Sequence, residues 1–322
     1  MSPRLASLPV DARFALLPPL TLVELSGADA GTHLHRFCTQ DLRAVAPGGG
    51  REAMFLDAKG KLTAHGIVLR TADRWWFLGD AGQGARLAAH LDRYVIREEV
   101  RIADLGDARI GVLIRSSSGW NEPTAATLPD LASGAAMIAM SEDEALLIVR
   151  DGRFGADGVI VIGTRDAIDA LTGVWDQAGN GRLSDGDVER ARIEAGWPRF
   201  GVDVDAGYLA QELDRDRTAI SFVKGCYLGQ ETVARIDALG HVNRKITPVR
   251  IERGAIDVPA ELFAGDAPAG RLTSRVSIDG AETGIGLATL KIGAAKPGTV
   301  LRTEVDSAVR ITVIDPASSS VG

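Results

Sequence analysis

From position 244 onward, short runs of alternating apolar and polar residues recur with turn-forming residues between them. Candidate strands are Ile246–Glu252, Glu261–Ala264, Arg271–Ile278, Thr283–Leu290, Val300–Glu304 and Val309–Ile314. They are punctuated at Asp257-Val-Pro259, Gly265-Asp266, Asp279-Gly280 and Lys296-Pro-Gly298, a spacing that predicts a small β-barrel or sandwich. Upstream the pattern mixes periods. Helical spacing fits Asp29–Asp41, and Gly82–Ile96 sets Leu87, Leu91 and Tyr94 on one face. Between these helices, Ala53–Asp57, Leu62–Leu69 and Trp75–Leu78 read as a meander that turns at Lys59-Gly60. Strands around Ile110–Ile114, Met137–Met140, Ala145–Val149 and Gly158–Ile162 precede a helix over Arg165–Gln177. A further helix opens at Ser184, with Asp187 completing a capping box, and closes at Gly196 ahead of Pro198. This order predicts an α+β protein with three divisions: residues 1–105, residues 106–243 and a C-terminal β unit over 244–322.

With 322 residues, 45% hydrophobic and 25% charged, the chain has enough apolar material for a sizeable core and two or three domains. It carries 36 Lys and Arg against 43 Asp and Glu, a net charge of −7, so it lacks the cationic surplus that non-specific binding to nucleic acid or acidic lipid needs. Cys38 and Cys226 make no disulfide framework, and two cysteines cannot supply the four thiolates of a usual iron–sulfur site. No apolar run approaches the ~18 residues of a membrane span. Residues 1–20 match neither a secretory signal nor an amphipathic transit peptide, so a cytoplasmic location is expected.

Fingerprints of elbow hydrolases, zincins, P-loops and dinucleotide folds are absent. His33 and His35 with Cys38 invite a metal reading, but on a helix the two imidazoles point about 200° apart, which suits an ordinary helix surface better. Asp176–Asp187 has some of the residues of a calcium loop, but Ala178 stands at the third position and Asp187 at the twelfth, so a turn-rich connection between helices is the simpler reading. No metal site is expected.

The densest chemistry lies in Lys224-Gly-Cys-Tyr-Leu-Gly-Gln-Glu231, followed by a helical stretch that stops at Gly240. Glu231 and Arg235 stand four apart in the favourable order. With Gly225–Gly229 as a turn into that helix, Cys226 sits near unpaired backbone N–H groups and two residues from the Lys224 ammonium, both of which favour a thiolate. The plainer reading is a helix entry with a small buried thiol.

This string, with Lys224, Gly225, Cys226, Tyr227, Gly229, Gln230, Glu231 and Arg235, resembles the signature of the YgfZ family, folate-binding proteins related to the aminomethyltransferase of the glycine cleavage system. The resemblance extends to Thr39-Gln-Asp41, Asp57-Ala-Lys-Gly60, Arg192-Ile-Glu-Ala-Gly196, Gly201-Val-Asp203, Gln211-Glu212 and Asn243-Arg244. It implies two mixed α/β lobes of aminomethyltransferase type around a central channel, plus a small C-terminal barrel, with segment 224–235 returning toward the first lobe. It further implies tetrahydrofolate or a reduced one-carbon derivative as ligand and a role in assembly or repair of [4Fe–4S] proteins. Those proteins, as clients or carriers, would be the partners, and any effect on tRNA modification would be indirect.

Under the resemblance, Arg192 clamps the glutamate tail of folate, since a planar guanidinium matches a carboxylate. Tyr94, Tyr208 and Trp197 are the aromatic candidates for the ring system, with Glu212 and Asp57 completing the folate contacts. Cys226 acts as a transient thiolate toward iron, sulfide or a cluster shared with a partner, Lys224 tunes its charge, and Gln230 and Glu231 brace the loop. Leu62-Thr-Ala-His65 lacks the catalytic carboxylate of the aminomethyltransferases, and Ile160 stands where they carry a pterin-binding Glu, so enzymatic activity is left open. Two alternatives remain: a folate-dependent one-carbon transferase and an interaction scaffold.

Overall fold

The structure, a computed structural model, describes residues 8–117, 135–140, 146–150, 152–155, 157–240, 242–254, 256–278, 282–303 and 308–315. The first half of the chain runs β1 (Arg13–Leu16), β2 (Leu20–Ser26), α1 (Ala30–Phe37), β3 (Gly49–Leu56), β4 (Leu62–Arg70), β5 (Arg74–Asp80), α2 (Gly84–Asp92), β6 (Arg101–Asp104), β7 (Ile110–Arg115), β8 (Ala135–Met140), β9 (Leu146–Arg150) and β10 (Gly158–Gly163). After it come α3 (Arg165–Gln177), β11 (Gly181–Arg182), α4 (Asp185–Glu194), α5 (Asp216–Ala219) and α6 (Gln230–Leu239). The chain ends with β12 (Arg244–Arg253), β13 (Ala260–Ala264), β14 (Ala267–Ser277), β15 (Gly284–Lys291), β16 (Val300–Thr303) and β17 (Arg310–Val313). Among the described residues no helix is long and apolar enough to cross a membrane.

Eleven strands form one sheet in the order β11-β1-β7-β10-β9-β8-β3-β4-β5-β2-β6. Its two halves meet where Gly49 and Arg51 of β3 pair with Met137 and Ala135 of β8. Helices α1 and α2 cover one face through Leu34, Leu87 and Leu91, packed with Phe55 and Phe77. Helix α3 covers the other half through Ile168, Leu171 and Trp175 on Phe14 and Val112. The opposite faces of both halves meet over Leu69, Trp76, Leu113, Ile160 and Trp197. Each such side chain, fully buried, contributes about 1.5–3 kcal/mol of transfer free energy.

The last six strands close into a barrel in the order β12-β15-β14-β13-β16-β17, filled by Val249, Leu272, Leu290, Leu301 and Ile311. The punctuating residues Asp279-Gly280, together with Ala145 and Glu304, lie outside the described residues.

Local signals explain most boundaries. Thr164 caps α3 by accepting from the Ala167 N–H at 3.4 Å, and Ser184 with Asp187 forms the expected capping box on α4. Helix α1 stops at Phe37, short of the predicted Asp41. There Cys38 turns extended and bridges to Phe55 of β3, so sheet pairing takes the residues that helical spacing had claimed.

Candidate functional site around Cys226

The Cys226 loop is held against the end of α1 and the β3–β4 turn, both far from it in sequence, and runs directly into α6. The C-terminal carbonyls of a helix lack intrahelical partners and form its negative pole, a natural seat for a cation. Lys224 takes that seat on α1: its Nζ donates to the carbonyls of His35, Cys38 and Gln40 at 2.6, 2.7 and 2.9 Å. The Leu228 N–H adds a bond to the Arg36 carbonyl at 3.1 Å. Thr39 then ties the preceding turn to the sheet. Its hydroxyl donates to the Ala219 carbonyl at 2.5 Å and accepts from the Met54 N–H at 3.0 Å. Gln40 Nε2 donates to the Thr218 carbonyl at 2.9 Å.

On the other side, the β3–β4 turn meets the start of α6. Asp57 Oδ1 accepts from the Lys59 and Lys61 N–H groups, both at 2.8 Å, and Thr232 donates to the Lys59 carbonyl at 3.0 Å. Gly60 and Gly229 sit at φ +78° and +83°, with no room for side chains. A Cβ on Gly229 would stand 2.6 Å from the Asp57 carbonyl oxygen, and one on Gly60 2.5 Å from Thr232 Cβ. Gln230 Oε1 accepts from the Tyr227 N–H at 3.1 Å, closing the loop on itself.

Held this way, Cys226 is exposed. Beside it Phe222 and Val223 are 48% and 92% exposed, an apolar pair that folding leaves in water. Glu231 and Arg235 are also exposed, with no ion pair between them. Because Gly229 needs both its left-handed backbone and its empty Cβ position, Gly229→Ala is expected to destabilise by about 1–3 kcal/mol. Gly225→Ala, whose Cβ meets nothing within 4 Å, serves as its near-neutral control. Urea titration of both variants checks this, and equal midpoints would contradict the packing described.

The sequence expectation for Lys224 is corrected. Its ammonium is directed to the carbonyls at and just beyond the end of α1 and lies 4.0 Å from Cys38 Sγ, so its thiol neighbour is the buried Cys38 rather than Cys226. Burial pushes the Lys224 ammonium below the usual lysine range, against the raising effects of Cys38 and Asp41. Burial likewise pushes the Cys38 thiol up and the Tyr227 hydroxyl up to about 12. His33 is also absorbed by packing, its Nε2 lying 3.1 Å from the Leu91 carbonyl.

The expected folate contacts lie in different places. Arg192 is 1% exposed. Its Nε donates to Glu189 at 3.0 Å, and one terminal nitrogen donates to the Trp197 carbonyl at 2.6 Å and to Asp203 at 2.8 Å. Asp203 in turn accepts from the barrel hydroxyls of Thr273 and Ser274 at 2.5 and 2.7 Å. The assignment of Arg192 to a carboxylate clamp is therefore corrected, since its guanidinium joins α4 to the barrel. Tyr94 stacks on Phe37 with centroids 4.7 Å apart. Glu212 is buried against Arg244 at 3.1 Å, Tyr208 bonds Thr289 at 2.8 Å, and Asp57 is the turn cap already described.

Sequence reasoning missed a second polar cluster. Glu52, on β3, is fully buried, bonded to His65 Nε2 at 2.9 Å and bidentate with Arg215 at 2.8 and 2.6 Å. His65 stacks on Trp197 at 4.3 Å, and Arg215 lies 5.4 Å from the same indole. The neighbourhood of Leu62–His65 thus does hold a carboxylate, contributed by the adjacent strand. A single Glu within a run of buried strand residues was the available signal. Burial, opposed by Arg215 and His65, leaves the Glu52 carboxyl lowered to about 2.

No protein-family model matches the chain. It is 30% identical over 249 residues to the mitochondrial iron-sulfur cluster assembly factor IBA57 of Homo sapiens, a match covering 71% of this chain and 64% of that protein. It is 28% identical over 229 residues to the tRNA-modifying protein YgfZ of Sodalis glossinidius, covering 70% of this chain and 67% of that one. The crystal structure of the glycine cleavage system aminomethyltransferase T from Bartonella henselae superposes with a TM-score of 0.79 at 17% identity, covering 97% of this chain and 87% of that one, and establishes the fold. The chain is thus similar in sequence to IBA57 and YgfZ, spans under two thirds of the human protein's length, and has the fold of the aminomethyltransferase.

Proposed function

We propose that this protein is an accessory factor in the assembly or repair of iron–sulfur proteins, and that it presents Cys226 to iron, sulfide or a cluster carried by a partner. The observation that carries this reading is the exposed thiol next to exposed Phe222 and Val223, on a loop anchored to α1, β3–β4 and α6. Such a loop offers a ligand and an apolar contact together. The cluster is cargo. One exposed and one buried cysteine do not make four thiolate ligands, so a cluster at Cys226 takes its remaining ligands from a client or carrier protein. The net charge of −7 disfavours direct RNA binding, which makes any influence on tRNA modification an indirect one, through cluster-dependent enzymes.

A reduced folate belongs to this reading through the fold and the family resemblance. The residues expected to hold it do not fit it as placed: Arg192 and Glu212 are committed to ion pairs, Tyr94 to Phe37 and Asp57 to its turn. One-carbon transfer is the weaker reading, because the carboxylate nearest His65 is locked to Arg215.

The experiment is complementation of cells lacking their own relative, read as the activity of a [4Fe–4S] hydro-lyase. Wild type and Cys38→Ser are expected to restore activity, and Cys226→Ser to leave it at the level of the empty vector. Full restoration by Cys226→Ser would overturn the proposal and favour a scaffold.

A further inference from the structure

A cavity of about 420 Å³ opens between α1 and the β4–β5 turn, with Gly31, Arg70 and Trp75 in its wall. Trp75 is 9% exposed, yet its indole N–H finds no acceptor among the described residues, whereas that of the adjacent Trp76 donates to Thr71 at 3.4 Å. Nor is Trp75 Nε1 sealed from solvent, as Trp197 Nε1 is. A Cβ on Gly31 would stand 2.9 Å from Nε1, Cε2 and Cζ2 of Trp75. The N–H edge of the indole therefore lies against the bare backbone of Gly31, where both residues border the cavity. A donor on a nearly buried side chain, open to the cavity and without a partner, points to an acceptor from outside the chain.

Other donors converge on the same place. Gly31 and Thr32, both in the wall, are the second and third residues of α1, whose first N–H groups have no intrahelical partners. Asp29 at the N-cap leaves them free, since its Oδ2 accepts instead from the Glu99 N–H at 2.9 Å. Arg70 Nη1 donates to the Val45 carbonyl at 2.8 Å, its guanidinium lies 5.2 Å from the Trp75 ring centre, and it has no carboxylate partner among the described residues. The other arginines of the wall are neutralised, Arg43 by Asp41 at 3.0 Å and Arg74 by Glu24 and Asp73 at 3.2 and 3.3 Å. One uncompensated cation beside neutral N–H donors matches a single negative charge, and a planar guanidinium matches a carboxylate. Ala28, Leu42 and Ala72 make the rest of the wall largely apolar.

We propose that this cavity binds a small monocarboxylate, whose oxygens accept from the Trp75 indole N–H, the first N–H groups of α1 and Arg70, and whose apolar body rests on Leu42 and Ala72. The assignment is independent of the function proposed above, because it uses neither Cys226 nor any residue expected to touch folate.

Titration of the isotope-labelled full chain with sodium benzoate at constant ionic strength, followed through the indole N–H resonances in NMR spectra, tests the assignment. The resonance missing from Trp75→Phe identifies Trp75. With benzoate it is expected to move downfield, saturably and further than the other indole resonances. Benzamide, the neutral isostere, should bind at least about tenfold more weakly, the size of one charge-assisted hydrogen bond. Arg70→Gln should weaken benzoate binding by a similar factor, and the benzamide comparison on wild type keeps the test valid even where that variant folds poorly. A Trp75 resonance that does not move, benzamide binding as tightly as benzoate, or inorganic phosphate saturating the same shift as tightly as benzoate would each overturn the proposal.

Discussion

Replacing Arg192 with alanine is expected to lower stability by about 3–5 kcal/mol, the cost of breaking a buried ion pair from one side. The reason is the partner left behind. Asp203 is buried and holds Arg192, Thr273 and Ser274 together, so removing the guanidinium leaves a carboxylate without its cation at the α4–barrel junction. The surrounding structure cannot easily relax, because Trp197 and Glu189 hang on the same guanidinium. Equilibrium unfolding in urea measures the change. An Arg192→Ala protein as stable as wild type, yet unable to bind a reduced folate, would restore the clamp inferred from family resemblance and refute the structural role.

A loss of similar size, about 3–5 kcal/mol, is expected for Glu52→Gln at neutral pH, because Arg215 then stays buried without its countercharge. Here pH supplies a second reading. The Glu52 carboxyl stands at about 2 in the folded protein against 4.5 for an ordinary Glu. Its depressed value means that its stabilising contribution is fully present above about 4.5 and is lost as pH falls through 4.5 toward 2. The variant lacks that contribution throughout. Stability measured by urea titration should therefore differ most at pH 6–7 and converge as the pH is lowered. A constant gap down to the acid limit would mean that Glu52 is not held ionised by Arg215 and His65.

The barrel was readable because turn formers such as Gly254, Pro259, Gly265 and Pro297-Gly298 separate its strand segments. The six candidate segments correspond to β12–β17 within a few residues. Helix α3 was readable for a related reason, a capped start and a clean apolar stripe. β1 and β2 were not anticipated, since Arg13–Leu16 gains its strand identity only by pairing with β7 and β11 across the sheet. The end of α1 was overestimated because local helical spacing is overridden at Cys38 by a bridge to Phe55.

The site shows the same division. The Cys226 string stands out as contiguous sequence, and two other strings singled out beside it, Thr39–Asp41 and Asp57–Gly60, prove to be the segments it packs against. Which atoms meet was hidden. The reach of Lys224 to the α1 carbonyls, of Arg192 to Asp203 and of Arg215 to Glu52 depends on long-range packing that no spacing along the chain encodes. Sequence proximity suggested that Lys224 serves Cys226, whereas the fold directs it to the end of a helix nearly two hundred residues earlier.

The central claim is that Cys226 is held in the open on a braced loop while Cys38 is sealed. Alkylation of the native protein with iodoacetamide, resolved by peptide mass spectrometry, tests it directly. The account predicts a single label, on Cys226, with Cys38 modified only once denaturant unfolds the chain. A native protein in which Cys226 resists the reagent, or in which Cys38 is labelled as fast, would contradict it.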